Sequence, residues 1–440
     1  MSESLIKAAQ LITSLSILVV LHELGHFIPA RLFKTKVEKF YLFFDPWFSL
    51  FKFNKGGTEY GIGWLPLGGY VKISGMIDES MDKEQMKLPP QPYEFRAKPA
   101  WQRLIIMVGG VVVNVILGVV IYAGVMFYYG EEFLPAKNAQ YGVVPDSIAM
   151  EIGIKAGDKL ISADGKPFEN FMKIPLDIVF NEAKSVQVER AGENVDLQIP
   201  SGYLARLIKN KDGFATPRIP FIIDDFAKDA PAQKAGLQKG DRIVGINDSS
   251  LLFANEITKI INASKGQELR IMVERAGKIM MFAVKVGEDG RIGVTNQSID
   301  KHLSLQKVEY NLVSSIPAGM RKAGDTFDNY IKQLKLLFSP EVEGYKSIGG
   351  FITIGSAFSP EWEWERFWLF TAFLSIVLAI MNILPIPALD GGHVMFLLYE
   401  VITGRKPNEK LMEYAQIAGM VLLLGLMLFA NANDIIKLFK

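Results

Sequence analysis

His22 and His26 stand four residues apart with Glu23 beside the first, in His22-Glu-Leu-Gly-His26. On an α-helix that spacing projects both imidazoles from one face, where they can share a metal ion. Glu23 lies about 100° round the helix from His22, able to reach a metal-bound water without being a ligand. Zinc with three protein ligands brings its water to a pKa of about 7 and polarises a carbonyl oxygen, the two requirements of amide hydrolysis. Glu23 is then the base that takes the proton from the water and passes it to the leaving amine. Two histidines leave one ligand to find. Asp390, in Asn382-Ile-Leu-Pro-Ile-Pro-Ala-Leu-Asp390-Gly-Gly-His393, is the residue placed to supply it. Its competing readings are a helix cap before Gly391 and, for the third ligand, His393. Histidine and carboxylate also suit iron, so ligand type alone does not fix the metal.

The elements that must carry these groups are apolar. Four segments, about 6–33, 104–129, 367–386 and 412–429, are near the ~20 residues that cross a bilayer core. Glu23 and the two histidines interrupt the first, where ionisable groups cost a few kcal/mol each unless they face protein or a metal. That segment runs into the His-Glu motif with no cleavage site before it, so it reads as a retained span. Basic residues follow span one (Arg31, Lys34, Lys36, Lys39), precede span two (Lys98, Arg103) and separate spans three and four (Arg405, Lys406, Lys410). The positive-inside rule puts those loops in the cytoplasm and both termini outside. The motif-bearing ends of spans one and three then share one side.

Composition agrees with a membrane protein of two or three domains. Of 440 residues, 49% are hydrophobic, and mean hydropathy is positive. Forty-eight basic residues against 47 acidic give nothing that points to nucleic acid. There is no cysteine, which excludes disulfides and thiolate metal sites.

Between spans two and three the chain repeats itself. Ala149-Met-Glu-Ile-Gly-Ile-Lys-Ala-Gly-Asp158 matches Ala232-Gln-Lys-Ala-Gly-Leu-Gln-Lys-Gly-Asp241 at an offset of 83, and Glu189-Arg-Ala-Gly192 matches Glu274-Arg-Ala-Gly277 at 85. The period is domain-sized. Each copy reads as a short helix, a Gly-Asp turn and alternating strands, a pattern that resembles permuted bacterial PDZ domains. Before span two, Glu59-Tyr-Gly-Ile-Gly-Trp-Leu-Pro-Leu-Gly-Gly-Tyr-Val-Lys72 reads as a β-hairpin. There Gly61 and Gly63 either keep a strand edge bare for another backbone or simply pack as a turn on the span ends.

The two metal motifs together, His22-Glu-Leu-Gly-His26 and Asn382-x-x-Pro-x-x-x-Leu-Asp390-Gly-Gly, resemble those of the site-2 proteases, which cut substrates within the membrane. Four spans with tandem PDZ-like units are similar to their regulator-of-sigma-E branch. Pro66-Leu-Gly-Gly-Tyr-Val-Lys72, Trp101-Gln-Arg103 and Gly349-Gly350 extend the likeness almost end to end.

The resemblance implies Zn2+ on His22, His26 and Asp390, with Glu23 as catalytic base. Asn382 would hold substrate backbone, and the Gly61–Tyr70 region, including Gly63 and Tyr70, would be a re-entrant strand on which the unwound substrate is laid. Gly110-Val-Val-Val-Asn114 corresponds to a Gly-Pro-x-x-Asn motif, with Val111 in place of the proline. Asn114 either hydrogen-bonds between helices or acts at the site.

The expected fold is a multi-pass α-helical membrane protein of four spans, with a cytoplasm-side re-entrant β region and two extracytoplasmic PDZ-like α+β domains. The expected segments are 1–40 (first span), 41–100 (cytoplasm-side loop and β region), 101–130 (second span), 131–213 and 214–298 (PDZ-like domains), 299–365 (linker with amphipathic helices) and 366–440 (last two spans). The implied partners are the lipid bilayer, single-span substrates such as anti-sigma factors trimmed beforehand, and peptide C-termini at the PDZ domains. The implied location is a bacterial inner membrane. The rival functions are a zinc-binding membrane carrier, which needs no base beside His22, and a PDZ scaffold, which needs no intact site.

Overall fold

The computed structural model describes residues 2–76, 88–210, 213–247, 249–250, 253–337 and 348–439. Asp248 of the second repeat, 77–87 of the expected cytoplasm-side loop and 338–347 of the linker lie outside them. The chain divides into two compact units. One holds the described residues of 2–130, 309–337 and 348–439; the other holds those of 131–308.

Among the described residues of the first unit, four helices are long and apolar enough to cross a membrane: Glu3–Leu32, Ala100–Tyr129, Trp364–Ile383 and, within Glu409–Leu438, Lys410–Lys437. The second span runs unbroken through Val111, where a proline would have removed a hydrogen bond. Spans one and two cross with backbones in contact: a Cβ on Gly25 would enter the backbone of Gly109, and one on Gly109 would enter that of Gly25. Small residues permit such close approach in a membrane. Spans two and three meet at Gly118, against Ile376 and Ala372. A buried polar file reinforces these contacts, with Thr371 donating to Ser14 at 3.0 Å and Ser375 to the Asn114 carbonyl at 2.7 Å.

Between spans one and two, the strands Val37–Lys55 and Thr58–Ile73 form one irregular sheet. Lys39–Leu42 has partners on both flanks, Glu59–Ile62 and Gly69–Lys72, while Ser49–Lys55 pairs with Thr58–Gly63. Gly61 is therefore flanked by both Tyr41 and Lys52. The bare edge read from its sequence does not exist at that residue. Its missing side chain instead makes room for the Tyr41 ring, and that of Gly63 for the Phe44 carbonyl. Tyr70 stacks on Tyr41 (ring centres 5.3 Å apart) and donates to Asp45 at 2.8 Å.

The second unit repeats element by element. The helix Ser147–Glu151, strand Lys159–Ala163, helix Ile174–Phe180 and hairpin Ser185–Arg190/Glu193–Gln198 match Pro231–Lys234, Arg242–Ile246, Ala254–Ala263 and Glu268–Arg275/Lys278–Lys285. Each copy carries the same buried pair. Asp158 accepts from Arg190 Nε at 2.8 Å and the Lys155 amide at 2.8 Å; Asp241 accepts from Arg275 Nε at 2.6 Å and the Gln238 amide at 2.8 Å. Burial pushes both carboxyls up, but the facing guanidinium and the amide outweigh it and hold them below the ordinary carboxylate range. A helix that the described residues of the second copy lack, Tyr203–Lys209, packs against Ile174–Phe180, and its buried Tyr203 donates to the Ile148 carbonyl at 2.8 Å.

Candidate metal centre

The first span delivers its two imidazoles as the four-residue spacing requires. His22 and His26 are buried on one face, with their Nε2 atoms 3.3 Å apart. Asp390 is the first residue of a helix, Asp390–Thr403, separated from span three by the short loop 384–389; the N-cap is Leu389. Asp390 Oδ2 stands 3.2 Å from His22 Nε2 and 3.3 Å from His26 Nε2. Two motifs 364 residues apart thus close a nearly equilateral triangle of ligand atoms. Tetrahedral zinc with bonds of about 2.0–2.1 Å separates its ligands by roughly 3.3–3.4 Å. The triangle has that size.

Protonation gives an independent fit. His26 Nδ1 lies 2.8 Å from the Ile106 carbonyl, which can only accept. The neutral ring therefore carries its proton on Nδ1 and turns the Nε2 lone pair to the centre. Asp390 Oδ2 is buried and has no hydrogen-bond donor. Two acceptor atoms, His26 Nε2 and Asp390 Oδ2, thus converge on a point that His22 Nε2 also faces, an arrangement suited to a cation. Among the described residues, His22, His26 and Asp390 are the one such group of three whose ligand atoms lie within 4.8 Å of one another.

Several features hold the carboxylate in place. A Cβ on Gly391 would strike the Leu384 carbonyl, and one on Gly392 would strike Pro387, so the loop after span three folds back tightly on itself. Ala388 sits at φ 78°, a conformation L-residues rarely adopt, and its amide donates to Gln416 of span four at 3.1 Å. At the other end of the Asp390 helix, Glu400 pairs with Arg103 of span two at 2.5 Å. Ala30, Val37, Ile73, Phe95, Ile106, Met107, Val394 and Leu397 pack into one buried cluster, joining that helix to spans one and two and to the sheet.

The remaining candidates divide. Glu23 is buried beside His26, His22 and Asp390, with the Val71 amide on the side of its carboxyl. Asn382 Nδ2 lies 3.3 Å from His22 Nε2. Tyr70 neighbours Val71 on the flank of the sheet that meets Glu23, whereas Gly61 lies deeper, between two strand partners. Gly63, opposite Ser49, belongs to the same inner strand. His393 lines a separate small cleft with Arg96, Arg103 and Glu400.

Two participants were not read from sequence. The Val71 amide has no side-chain signature. Gly110 has one, as part of a motif, but its reason is spatial: a Cβ there would collide with His26 Nε2 and His22 Cε1.

Comparison with known proteins decides the family. The model of peptidase family M50 matches residues 10–426. This chain belongs to peptidase family M50. A protein of Neisseria meningitidis named as a zinc metalloprotease is 30% identical, over 97% of this chain and 98% of its own. The regulator of sigma E protease of Haemophilus influenzae is 27% identical over 97% and 98%. That of Salmonella typhimurium is 28% identical over 98% of each. As an M50 peptidase with four membrane-crossing helices, the chain is an integral membrane zinc metalloprotease.

Proposed function

We propose that this M50 peptidase is an intramembrane endopeptidase. In this reading it cuts single-span membrane proteins, of the anti-sigma-factor kind, after an earlier protease has trimmed their external part. The observation that carries it is the triangle of His22 Nε2, His26 Nε2 and Asp390 Oδ2, with an orphaned buried carboxylate oxygen at one vertex. His22, His26 and Asp390 would hold the zinc, which when bound would supply Lewis-acid polarisation and lower the pKa of a water to about 7. Glu23, oriented by the Val71 amide, takes the water's proton on its carboxylate and delivers it to the leaving amine. Asn382 orients substrate backbone beside His22.

A substrate helix must unwind before its amides are accessible, and its bared backbone groups then need partners. The Leu65–Ile73 flank of the sheet, with Tyr70 and the Val71 amide beside Glu23, supports addition of the substrate there as a strand. Gly61 and Gly63 would shape the sheet behind it. The exposed Trp47, Phe48, Leu50, Phe51 and Phe53 fit a sheet that dips into lipid.

Orientation follows the basic loops: both termini and the repeat unit outside a bacterial inner membrane, the metal centre towards the cytoplasm. The repeats act as PDZ-like modules that hold back untrimmed substrates. The short lead-in of the first copy, Tyr141-Gly-Val-Val-Pro145, favours the second copy as the one with an open peptide groove.

The test is cleavage of a tagged single-span substrate by purified full-length protein in detergent. The expected result is a cut within the span that a zinc chelator abolishes and added zinc restores. Cleavage indifferent to the chelator, or cleavage only outside the span, would refute the proposal.

A further inference from the structure

We propose that Asn114 is a positioning residue for the zinc, its side-chain carbonyl accepting the Nδ1–H of His22. This rests on the reading of His22 as a metal ligand. Asn114 is fully buried in span two, and its amide lies 3.0 Å from His22 Nδ1 with Nδ2 drawn nearest. In that orientation Asn114 Oδ1 is buried with no partner.

The two sides of the imidazole cannot be chosen independently. His22 Nε2 faces Asp390 Oδ2 at 3.2 Å and His26 Nε2 at 3.3 Å, in a centre that needs its lone pair. A neutral ring that presents a lone pair at Nε2 keeps its proton on Nδ1, and that proton needs an acceptor. An amide NH2 there would do the reverse, accepting no proton and driving the ring's own proton to Nε2, into the metal position. Which end of an amide is oxygen is decided by its hydrogen bonds, since the two ends have nearly the same shape. Turning the Asn114 amide end over end puts Oδ1 against Nδ1–H and gives the orphaned oxygen its partner. His26 already has the equivalent arrangement, with Nδ1 at the Ile106 carbonyl, also from span two. One helix then fixes both rings: Ile106 by its main chain, Asn114 by its side chain. Asn114 is itself held, its backbone carbonyl accepting from Ser375 Oγ at 2.7 Å. Groups that orient metal-bound histidines typically alter metal affinity by about 10–100-fold when removed.

The orientation makes a prediction that a packing role does not. Aspartate at 114 has the shape of asparagine and only acceptors, so Asn114→Asp keeps the bond to Nδ1–H. Asn114→Leu keeps the volume and loses it. Zinc affinity of the full-length protein in detergent is measured by competition with a chelator of known strength. We expect Asn114→Leu to bind zinc about 10–100-fold more weakly, and Asn114→Asp to match or exceed the parent. Asn114→Ala, which adds no bulk, gives a second readout: its cobalt(II) form should show visible bands displaced from the parent's. Zinc affinity and cobalt bands unchanged in Leu and Ala variants, or Asp as weak as Leu, would overturn the proposal. Failure of the parent itself to bind zinc would instead remove the metal-centre reading on which it rests.

Discussion

Glu23→Gln is expected to lower the rate of substrate cleavage by about 10²–10⁴-fold while the protein keeps its zinc. Glutamine has the volume of glutamate and can still accept from the Val71 amide that meets Glu23, so the local packing survives. It cannot take a proton at neutral pH. The three groups of the triangle belong to other residues, so metal content should stay at the parent's level. Rate and zinc content must therefore be measured on the same preparation. A variant that cleaves at the parent's rate would show that Glu23 is not the base. A variant that loses both zinc and activity would place Glu23 among the ligands, contrary to the geometry.

Gly110→Ala is expected to have the other large effect, and on the metal itself. Its single methyl would occupy the space of His26 Nε2 and His22 Cε1. In ordinary helices, alanine for glycine stabilises by about 1 kcal/mol, so a loss here cannot be attributed to the helix. The rings must swing away to admit the methyl, and zinc affinity should fall by about 100-fold or more, since displacing ligands exceeds the usual cost of loosening them. Cleavage falls with it. Gly124→Ala in the same span is the control, because nothing lies within 4 Å of a Cβ built there. It should retain both zinc and activity. Parent-like zinc binding by Gly110→Ala would mean that the two rings do not sit where the structure has them.

Much of this site could be read from residue types because its members are expensive. A histidine pair with a glutamate inside an apolar span has no solvated-surface explanation, and the helical period alone puts both rings on one face. Asp390 followed from topology: the positive-inside rule puts the ends of spans one and three on one side, and the structure sets His26 and Asp390, 364 positions apart, 3.3 Å from each other. What stayed hidden was set by contacts without a side-chain signature. The Val71 amide that meets Glu23 depends on a strand register, and the sheet between spans one and two is too irregular for alternation to reveal it. Gly61 illustrates the difference. Its sequence context left a bare strand edge and a packed turn both open, and the structure shows the missing side chain accommodating Tyr41 from a neighbouring strand. The clamp on the Asp390 loop, Ala388 to Gln416, likewise joins two segments whose pairing no periodicity encodes.

The account stands on one shared cation joining the first span to the residues just beyond the third. Zinc X-ray absorption on the purified parent and on Asp390→Ala examines that junction directly. The parent should hold one zinc with two imidazole nitrogens and a carboxylate oxygen at about 2.0–2.2 Å; the variant should lose the metal or replace that oxygen while keeping the two imidazoles. An identical zinc content and an identical coordination shell in Asp390→Ala would contradict the account.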